Sequence, residues 1–365
     1  MSLDQTDPKQ YQLQLDNKIA AFKQTMADAG LEIGSPTVYQ SAPLGFRMRA
    51  EFRIWHEQEQ VYYGMNRRGE KRPYIIEDFP IGAPLINQLM PPVLAALNAS
   101  PVLSRKCFSA EFLTSTAGEA LITLIYHRPL DAEWEAEARA LQARLKVNII
   151  GRSRKQKLVL DRDYVTERLQ VGGREYSYQQ VESGFTQPNA GINTQMLNWA
   201  SETLTGKSTG DLVELYCGNG NFTAPLSRHF DAVLATEISK VSVNSAEFNF
   251  AANKIDNIQV VRLSAEEFTQ ALNGERPFRR LAHIDLDTYN FSTVFVDPPR
   301  AGLDPDTEKL ICRFERILYI SCNPKTLAQN LAEITKTHKI ESVAVFDQFP
   351  WTDHLESGVL LSRIG

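Results

Sequence analysis

"LVELYCGNGNF", residues 212–222, decides how the rest of the chain is read. Its first half belongs to a candidate strand over 212–217. Gly218 and Gly220 then permit a tight turn and a close approach of backbone to a ligand. A dinucleotide fingerprint G-x-G-x-x-G needs glycine at 223, where Thr223 stands, so a nicotinamide site is disfavoured. The plain alternative is a glycine turn joining a strand to a helix with no ligand at all.

Toward the C-terminus, strands and helices alternate. Strands are expected over 212–217, 231–236, 257–263, 293–297, 316–321, 341–347 and 357–363, and helices over 239–252, 265–272, 304–314 and 324–337. Such alternation predicts a parallel, doubly wound sheet. The last two strands have no helix-length gap between them and form an antiparallel pair at or near one edge. Seven strands with that ending resemble the α/β, Rossmann-like fold of S-adenosylmethionine-dependent methyltransferases. A glycine loop without its third glycine suits that cofactor, which has no pyrophosphate to seat. Glu237 ends the second strand, nineteen positions after Gly218. That is the spacing at which a carboxylate accepts both hydroxyl hydrogens of a ribose. Its other reading is an exposed strand-end acid.

Two further strand ends carry chemistry, since open α/β sheets bind ligands at the carboxyl ends of their strands. In "VFVDPPRAGLD" (294–304), Asp297 emerges from an apolar strand and two prolines stiffen the backbone after it. D-P-P at this strand resembles the substrate-side motif of methyltransferases. Arg300 stands in place of the aromatic that amino-group methyltransferases carry, which favours a target bearing carbonyl oxygens or phosphate. In "ILYISCNP" (317–324), Asn323 is a good N-cap and Pro324 a good first helical residue. Cys322 therefore lies beside a helix N-terminus, whose partial charge favours thiolate over thiol. Cys217, ending a strand in the glycine loop, is its rival, while Cys312 on a helix's inner face reads as core. "HLESGVLL" (354–361) adds Glu356, a lone carboxylate that by itself reads as a surface acid.

Residues 1–178 lack this rhythm and are read as a smaller α+β domain, with the catalytic domain over 179–365. A helix near 11–28 places Leu15, Ile19, Phe22 and Met26 on one face. "FRMRAEFRI" (46–54) alternates, with Arg47, Arg49 and Arg53 on its wet side. A hairpin is expected over 109–127 and a helix over 131–145. The formal charge of −5 advertises no nucleic-acid partner, but two segments are locally basic. "GRSRKQK" (151–157) has no acid, and "YYGMNRRGEKRPY" (62–74) sets Arg67, Arg68, Lys71 and Arg72 against Glu70 among three tyrosines. Either is also readable as a solvated loop.

Hydrophobic residues make up 43% and charged residues 23% of the 365, an ordinary globular balance. No run nears the roughly 20 apolar residues of a membrane span. The polar start "MSLDQTDPKQYQLQ" has no signal-peptide core, so a cytoplasmic protein is expected. Four separated cysteines without a C-x-x-C pair argue against zinc and iron–sulfur sites.

Taken together, "LYCGNGNF", "FVDPPRAG", "ISCNP" and "HLESGVLL" resemble the RNA uracil-5-methyltransferase family. The resemblance implies Cys322 as the nucleophile to carbon 6 of uracil and Glu356 as the base at carbon 5. It implies S-adenosylmethionine, with no metal, held by Gln187, Tyr216, Gly218, Asn221, Glu237 and Asp297. "FRMRAEFRIWH" and "GFTQPNA" extend the likeness to the family's tRNA branch, which acts on the T-loop uridine 54. The ribosomal branch adds an RNA-binding barrel and a four-cysteine cluster that this sequence lacks. The implied partner is the T-arm of tRNA, with transfer-messenger RNA a second candidate, for a monomer that uses no membrane. Arg49, Arg53, Phe108, His127 and Arg300 are the expected RNA contacts, Phe108 filling the gap left by an extruded base. A ribosomal-RNA or cytosine methyltransferase, or an inactive RNA-binding relative of the same fold, are the alternatives.

Overall fold

The computed structural model describes residues 6–67, 69–70, 72–207 and 209–365. Arg68 and Lys71 of the basic 62–74 segment thus lie outside the described residues. The chain divides into two compact units, each built from separate stretches of sequence. The first holds residues up to Tyr11, Ala42–Arg168 and Gln180–Ala190, and the second holds Gln12–Ser41, Leu169–Gln179 and Gly191–Gly365.

In chain order, α1 (Tyr11–Asp28) and β1 (Thr37–Tyr39) come first. Seven strands of the first unit come next: β2 (Arg49–Glu57), β3 (Gln60–Met65), β4 (Tyr74–Ile76), β5 (Cys107–Thr114), β6 (Ala120–Tyr126), β7 (Asn148–Ser153) and β8 (Gln156–Val159). They form one sheet in the order β4-β3-β2-β5-β6-β7-β8. Its helices are α2 (Pro84–Ala99), α3 (Pro101–Ser104) and α4 (Ala132–Leu145), the last crossing over between the parallel strands β6 and β7. Phe52, Tyr63, Phe79 and Phe112 pack ring against ring on the buried face. The alternation of β2 is as the sequence predicts: Ala50, Phe52 and Ile54 are buried, and Arg49, Glu51 and Arg53 face the other way.

A two-stranded ribbon, β9 (Tyr164–Val171) with β10 (Arg174–Val181), precedes α5 (Ala190–Leu204). The second unit continues with β11 (Asp211–Leu215), α6 (Thr223–Leu226), β12 (Val233–Thr236), α7 (Lys240–Ala252), β13 (Ile258–Val261), α8 (Ala265–Leu272), β14 (Phe291–Val296), α9 (Pro305–Ile311), β15 (Arg316–Ser321), α10 (Pro324–Ile334), β16 (His338–Phe346) and β17 (Glu356–Arg363). Its sheet runs β1-β16-β17-β15-β14-β11-β12-β13, parallel except for β17, which lies antiparallel between β15 and β16. All seven expected strands are present, and β1 adds an eighth beside β16. Every residue of β11 is buried, Leu212, Val213 and Leu215 among them. Each such side chain contributes about 1.5–3 kcal/mol. Strand order reverses between β11 and β14, which puts the ligand-binding crevice of an open sheet at their carboxyl ends.

The border expected at 178/179 is corrected by this division. Residues 12–41 and 169–179 cluster with the parallel sheet, and 180–190 with the first unit. The reason is packing: Phe22 and Met26 of α1 join the same core as Val343 and Val345, and β1 hydrogen-bonds along β16. Apolar faces are buried where a partner exists, whatever the order of the chain.

Candidate active site

The carboxyl end of β15 carries Cys322. Asn323 caps α10 by accepting from the Lys325 amide at 3.2 Å, and Pro324 opens the helix, as the sequence predicts. Across the antiparallel ladder Ser321 pairs with Ser357, so Cys322 and Glu356 leave it at one level. On the other flank Val296 of β14 pairs with Tyr319, bringing Asp297 to the same edge. The loops are also tied to one another. Asn323 Nδ2 donates to the Arg300 carbonyl at 2.9 Å, Thr326 Oγ1 donates to it at 3.3 Å, and the Arg300 guanidinium meets His354 Nδ1 at 3.0 Å.

Crowding of acids sets the electrostatics. Burial lifts Asp297 from its ordinary 3.8 to about 7. Burial, then Asp297, lift Glu356 from 4.5 to about 8, with Arg300 pulling the other way. The thiolate expected of Cys322 beside a helix N-terminus is opposed by its surroundings. Burial, Glu356 and Asp297 push it up to about 11 against Arg300. A helix terminus is worth roughly 0.3–1 kcal/mol, less than one pKa unit. Cys217 is more deeply sequestered, 4% exposed beneath the glycine loop, with its thiol pushed well up by burial, Glu214 and Glu237. Cys312 caps α9 and packs, half-buried, against the core.

These shifts give a pH dependence with a definite sign. The folded chain binds the Asp297 and Glu356 protons more tightly than the unfolded chain does. Their stabilisation is complete below the ordinary values near 4 and is lost as pH rises through about 7 and 8. Melting temperature should therefore fall between about pH 4 and 8, less steeply in Glu356→Gln. Calorimetric pH series with equal slopes for the two proteins would contradict this.

The glycine loop leaves β11 through Tyr216, at φ +65°, a conformation rare for a bulky side chain. Gly218 and Gly220 both have positive φ. Their reasons differ: a Cβ on Gly220 would strike the Phe250 ring, whereas Gly218 faces open space. Glu237 accepts from the Gly218 amide at 3.1 Å and the Ser239 amide at 2.7 Å, leaving lone pairs for a diol. Ile238 beside it is 67% exposed, an apolar surface suited to a purine face. Open space over a bare glycine, a carboxylate and an apolar shelf fit S-adenosylmethionine. Asn221 forms a reciprocal amide pair with Asn193, at 2.8 and 3.0 Å.

The remaining residues lie in the first unit. Gln187 falls in its 180–190 stretch, half-buried. Arg49 is committed to its own fold: it donates to the carbonyls of Gly184 and Glu182 at 3.0 and 2.8 Å and pairs with Glu111. "GRSRKQK" is the β7–β8 hairpin, in which Arg152 and Lys157 both pair with Glu182, so Arg154 and Lys155 carry its exposed charge. Phe108 stacks on His127 with centroids 4.4 Å apart, and Arg53 lies 5.5 Å from both the Phe108 and Trp55 rings. With Lys106 they line a cleft of about 460 Å³.

The model of the tRNA (Uracil-5-)-methyltransferase family matches residues 10–364. The chain belongs to that family. It is a methyltransferase. It is 56% identical over 363 residues, 99% of each chain, to a protein of Saccharophagus degradans named tRNA/tmRNA (uracil-C(5))-methyltransferase. A protein of the same name from Stutzerimonas stutzeri is 56% identical over 364 residues, 100% of each chain to the nearest per cent. The crystal structure of Pyrococcus abyssi tRNA (uracil-54, C5)-methyltransferase with S-adenosyl-L-homocysteine shares the fold. Its TM-score is 0.72 at 19% identity, over 96% of this chain and 83% of that one.

Three site residues of this family member escape a reading of motifs. Asn193, 2% exposed, supports Asn221, and Asn249 donates to the Asn219 carbonyl at 2.9 Å. Glu214, buried within β11, has its carboxyl pushed well up by burial. An asparagine on a helix gives no periodic signal, and Glu214 reads only as a flaw in an apolar run. Glu237→Ala should weaken cofactor binding by about 1.5–3 kcal/mol, the worth of hydrogen bonds to a charged group. Unchanged affinity by titration calorimetry would contradict the ribose assignment.

Proposed function

We propose that the chain methylates carbon 5 of uridine 54 in the T-loop of tRNA, with Cys322 as nucleophile and Glu356 as base. The observation that carries this is the β15–β17 ladder, which releases Cys322 and Glu356 at one level on the edge where the glycine loop opens. Carbon 5 of uracil is a poor nucleophile. Sulfur of Cys322 bonds to carbon 6, and the displaced electron pair reaches carbon 5 as an enolate. S-adenosylmethionine supplies an electrophilic methyl group on a positive sulfonium, a charge that also favours the thiolate. Glu356 then takes the carbon-5 proton, the enolate reforms, and its collapse to the carbon 5–carbon 6 double bond expels the sulfur of Cys322 as thiolate. Arg300, cationic and exposed, suits a carbonyl or phosphate beside the target base.

Bases in RNA loops are read unstacked, against aromatic and arginine surfaces. The Arg53–Phe108–His127 cleft is such a surface and is assigned to the T-arm. Transfer-messenger RNA is proposed as a second substrate, since both relatives above carry it in their names. No helix among the described residues is long and apolar enough to cross a membrane. A cytoplasmic site of action suits a mechanism that needs a reduced thiol. A monomer suffices, since every residue assigned to the chemistry lies on one chain.

The test is transfer of labelled methyl to unfractionated RNA, with the labelled nucleotide mapped. The expected product is 5-methyluridine at position 54 of tRNA. 5-Methylcytidine, or label in ribosomal RNA alone, would contradict the proposal. Arg53→Gln with Arg154→Gln should weaken tRNA binding and leave cofactor affinity unchanged. The salt slope should fall by roughly 0.7–0.9 for each phosphate no longer neutralised. Normal binding at every salt concentration would show the cleft and the β7–β8 hairpin to be bystander surface.

A further inference from the structure

The N-terminal helix reaches the β16–β17 connection through one side chain. Lys18 of α1 is 8% exposed. Its ammonium donates to Asp347 Oδ1 at 2.7 Å, to the Phe349 carbonyl at 2.8 Å and to the His354 carbonyl at 2.9 Å. An ammonium has three hydrogens, and all three are used. The acceptors stand on both limbs of residues 347–355, a connection closed at its base by the register pair Phe346–Glu356. Gln14, a turn earlier on α1, accepts from the Trp351 amide at the loop's tip, where Trp351 holds φ +65°. On the return limb His354 meets Arg300, and two residues later Glu356 enters the sheet.

We infer that Lys18 and Asp347 are positioning residues for Glu356: the buried ammonium fixes the curvature of 347–355, and so the level at which Glu356 leaves the ladder beside Cys322. The inference rests on the proposed role of Glu356 as base. A plain fold-stabilising role explains these observations less well. Removing two charges from water is expensive, and an apolar pair of similar volume commonly stabilises as much or more. An ammonium offers direction instead, binding three oxygens from one point. Asp347 is fully buried, its Oδ2 has no hydrogen-bond partner among the described residues, and its amide donates to the Tyr39 carbonyl of β1 at 3.0 Å. The ion pair is thus fixed from the strand side as well as from the helix.

The experiment uses the full chain with Lys18→Met and Asp347→Asn combined, which removes the tether without leaving a buried charge unpaired. Formation and breakdown of the methylated protein–RNA adduct are followed separately by rapid quench, on a tRNA T-arm with ordinary uracil. Cofactor affinity and adduct formation should stay within about threefold of wild type, while breakdown slows by roughly 10–100-fold and adduct accumulates, as a misplacement near 1 Å would cause. In a Glu356→Gln background the same pair of changes should alter breakdown by less than about twofold, because their effect runs through that carboxylate. Lys18→Arg keeps the charge but not the single-point geometry, so it covers the case in which the double variant does not fold. It should slow breakdown about tenfold. Equal slowing of formation and breakdown, additivity with Glu356→Gln, or a Lys18→Arg protein with wild-type breakdown would each overturn the inference. A wild-type protein that forms no adduct would overturn the reading beneath it, and the inference with it.

Discussion

Cys322→Ala should lose methyl transfer to tRNA on the order of 10⁶-fold, as removal of an attacking side chain costs in a serine hydrolase, while Cys217→Ala keeps turnover. Both thiols follow strands at the carboxyl edge of the sheet, β11 and β15, and by sequence pattern either could serve. The structure separates them by surroundings. Cys217 is buried beneath the glycine loop, 3.7 Å from the Gly218 carbonyl, with two carboxyls holding its proton in place. Cys322 is only half-buried, sits at a helix N-terminus, and has Arg300 as a cation acting on it. Its thiol at about 11 also predicts slow alkylation of the free protein at neutral pH, quickening as pH rises. Full turnover by Cys322→Ala, with loss in Cys217→Ala, would reverse the assignment.

Glu356→Gln should leave attack and methyl transfer largely intact and slow release of the methylated base by about 10²–10⁴-fold, the usual worth of a positioned general base. Glutamine keeps the shape and one carbonyl oxygen but takes up no proton. The carboxyl's value near 8 adds a sign: release by the wild type should speed up as pH rises toward 8, when the group becomes ionised. Quench-flow separation of adduct formation from breakdown reads both effects. A uniform slowing of every step would mean that Glu356 shapes the site without taking the proton.

Much of the catalytic unit is legible in the sequence. Strands β11 to β17 match the apolar runs, because a parallel sheet buried on both faces leaves little choice of residue. The cap Asn323 of α10 marks a helix start that the sequence also signals. Legibility fails where long-range packing overrides local pattern. Pro91 and Pro92 inside α2 forbid a helix on local grounds, since each lacks an amide donor and crowds the preceding turn. The helix survives because Ile86, Leu89, Met90, Val93 and Leu97 are buried along one side. Placing α1 in the catalytic unit is likewise out of reach, since an apolar stripe does not name its partner. Within the site, motif positions are readable and the residues that support them are not. Arg49 reads as a free cation on a wet strand, yet its three acceptors come from residues 62 to 135 positions away. Lys18 gives no signal of its own, for its three acceptors lie more than 300 positions along the chain.

The most direct test of covalent catalysis at Cys322 is the adduct with T-arm RNA carrying 5-fluorouracil at position 54. Sulfur can add at carbon 6 and methyl at carbon 5, but fluorine cannot leave as a cation, so elimination stops and protein stays joined to RNA. After protease and nuclease digestion, mass spectrometry should find the methylated fluorinated nucleotide on the peptide containing Cys322, only when S-adenosylmethionine is present. No adduct despite turnover on ordinary tRNA, or a nucleotide carried by the Cys217 peptide, would contradict covalent catalysis at Cys322.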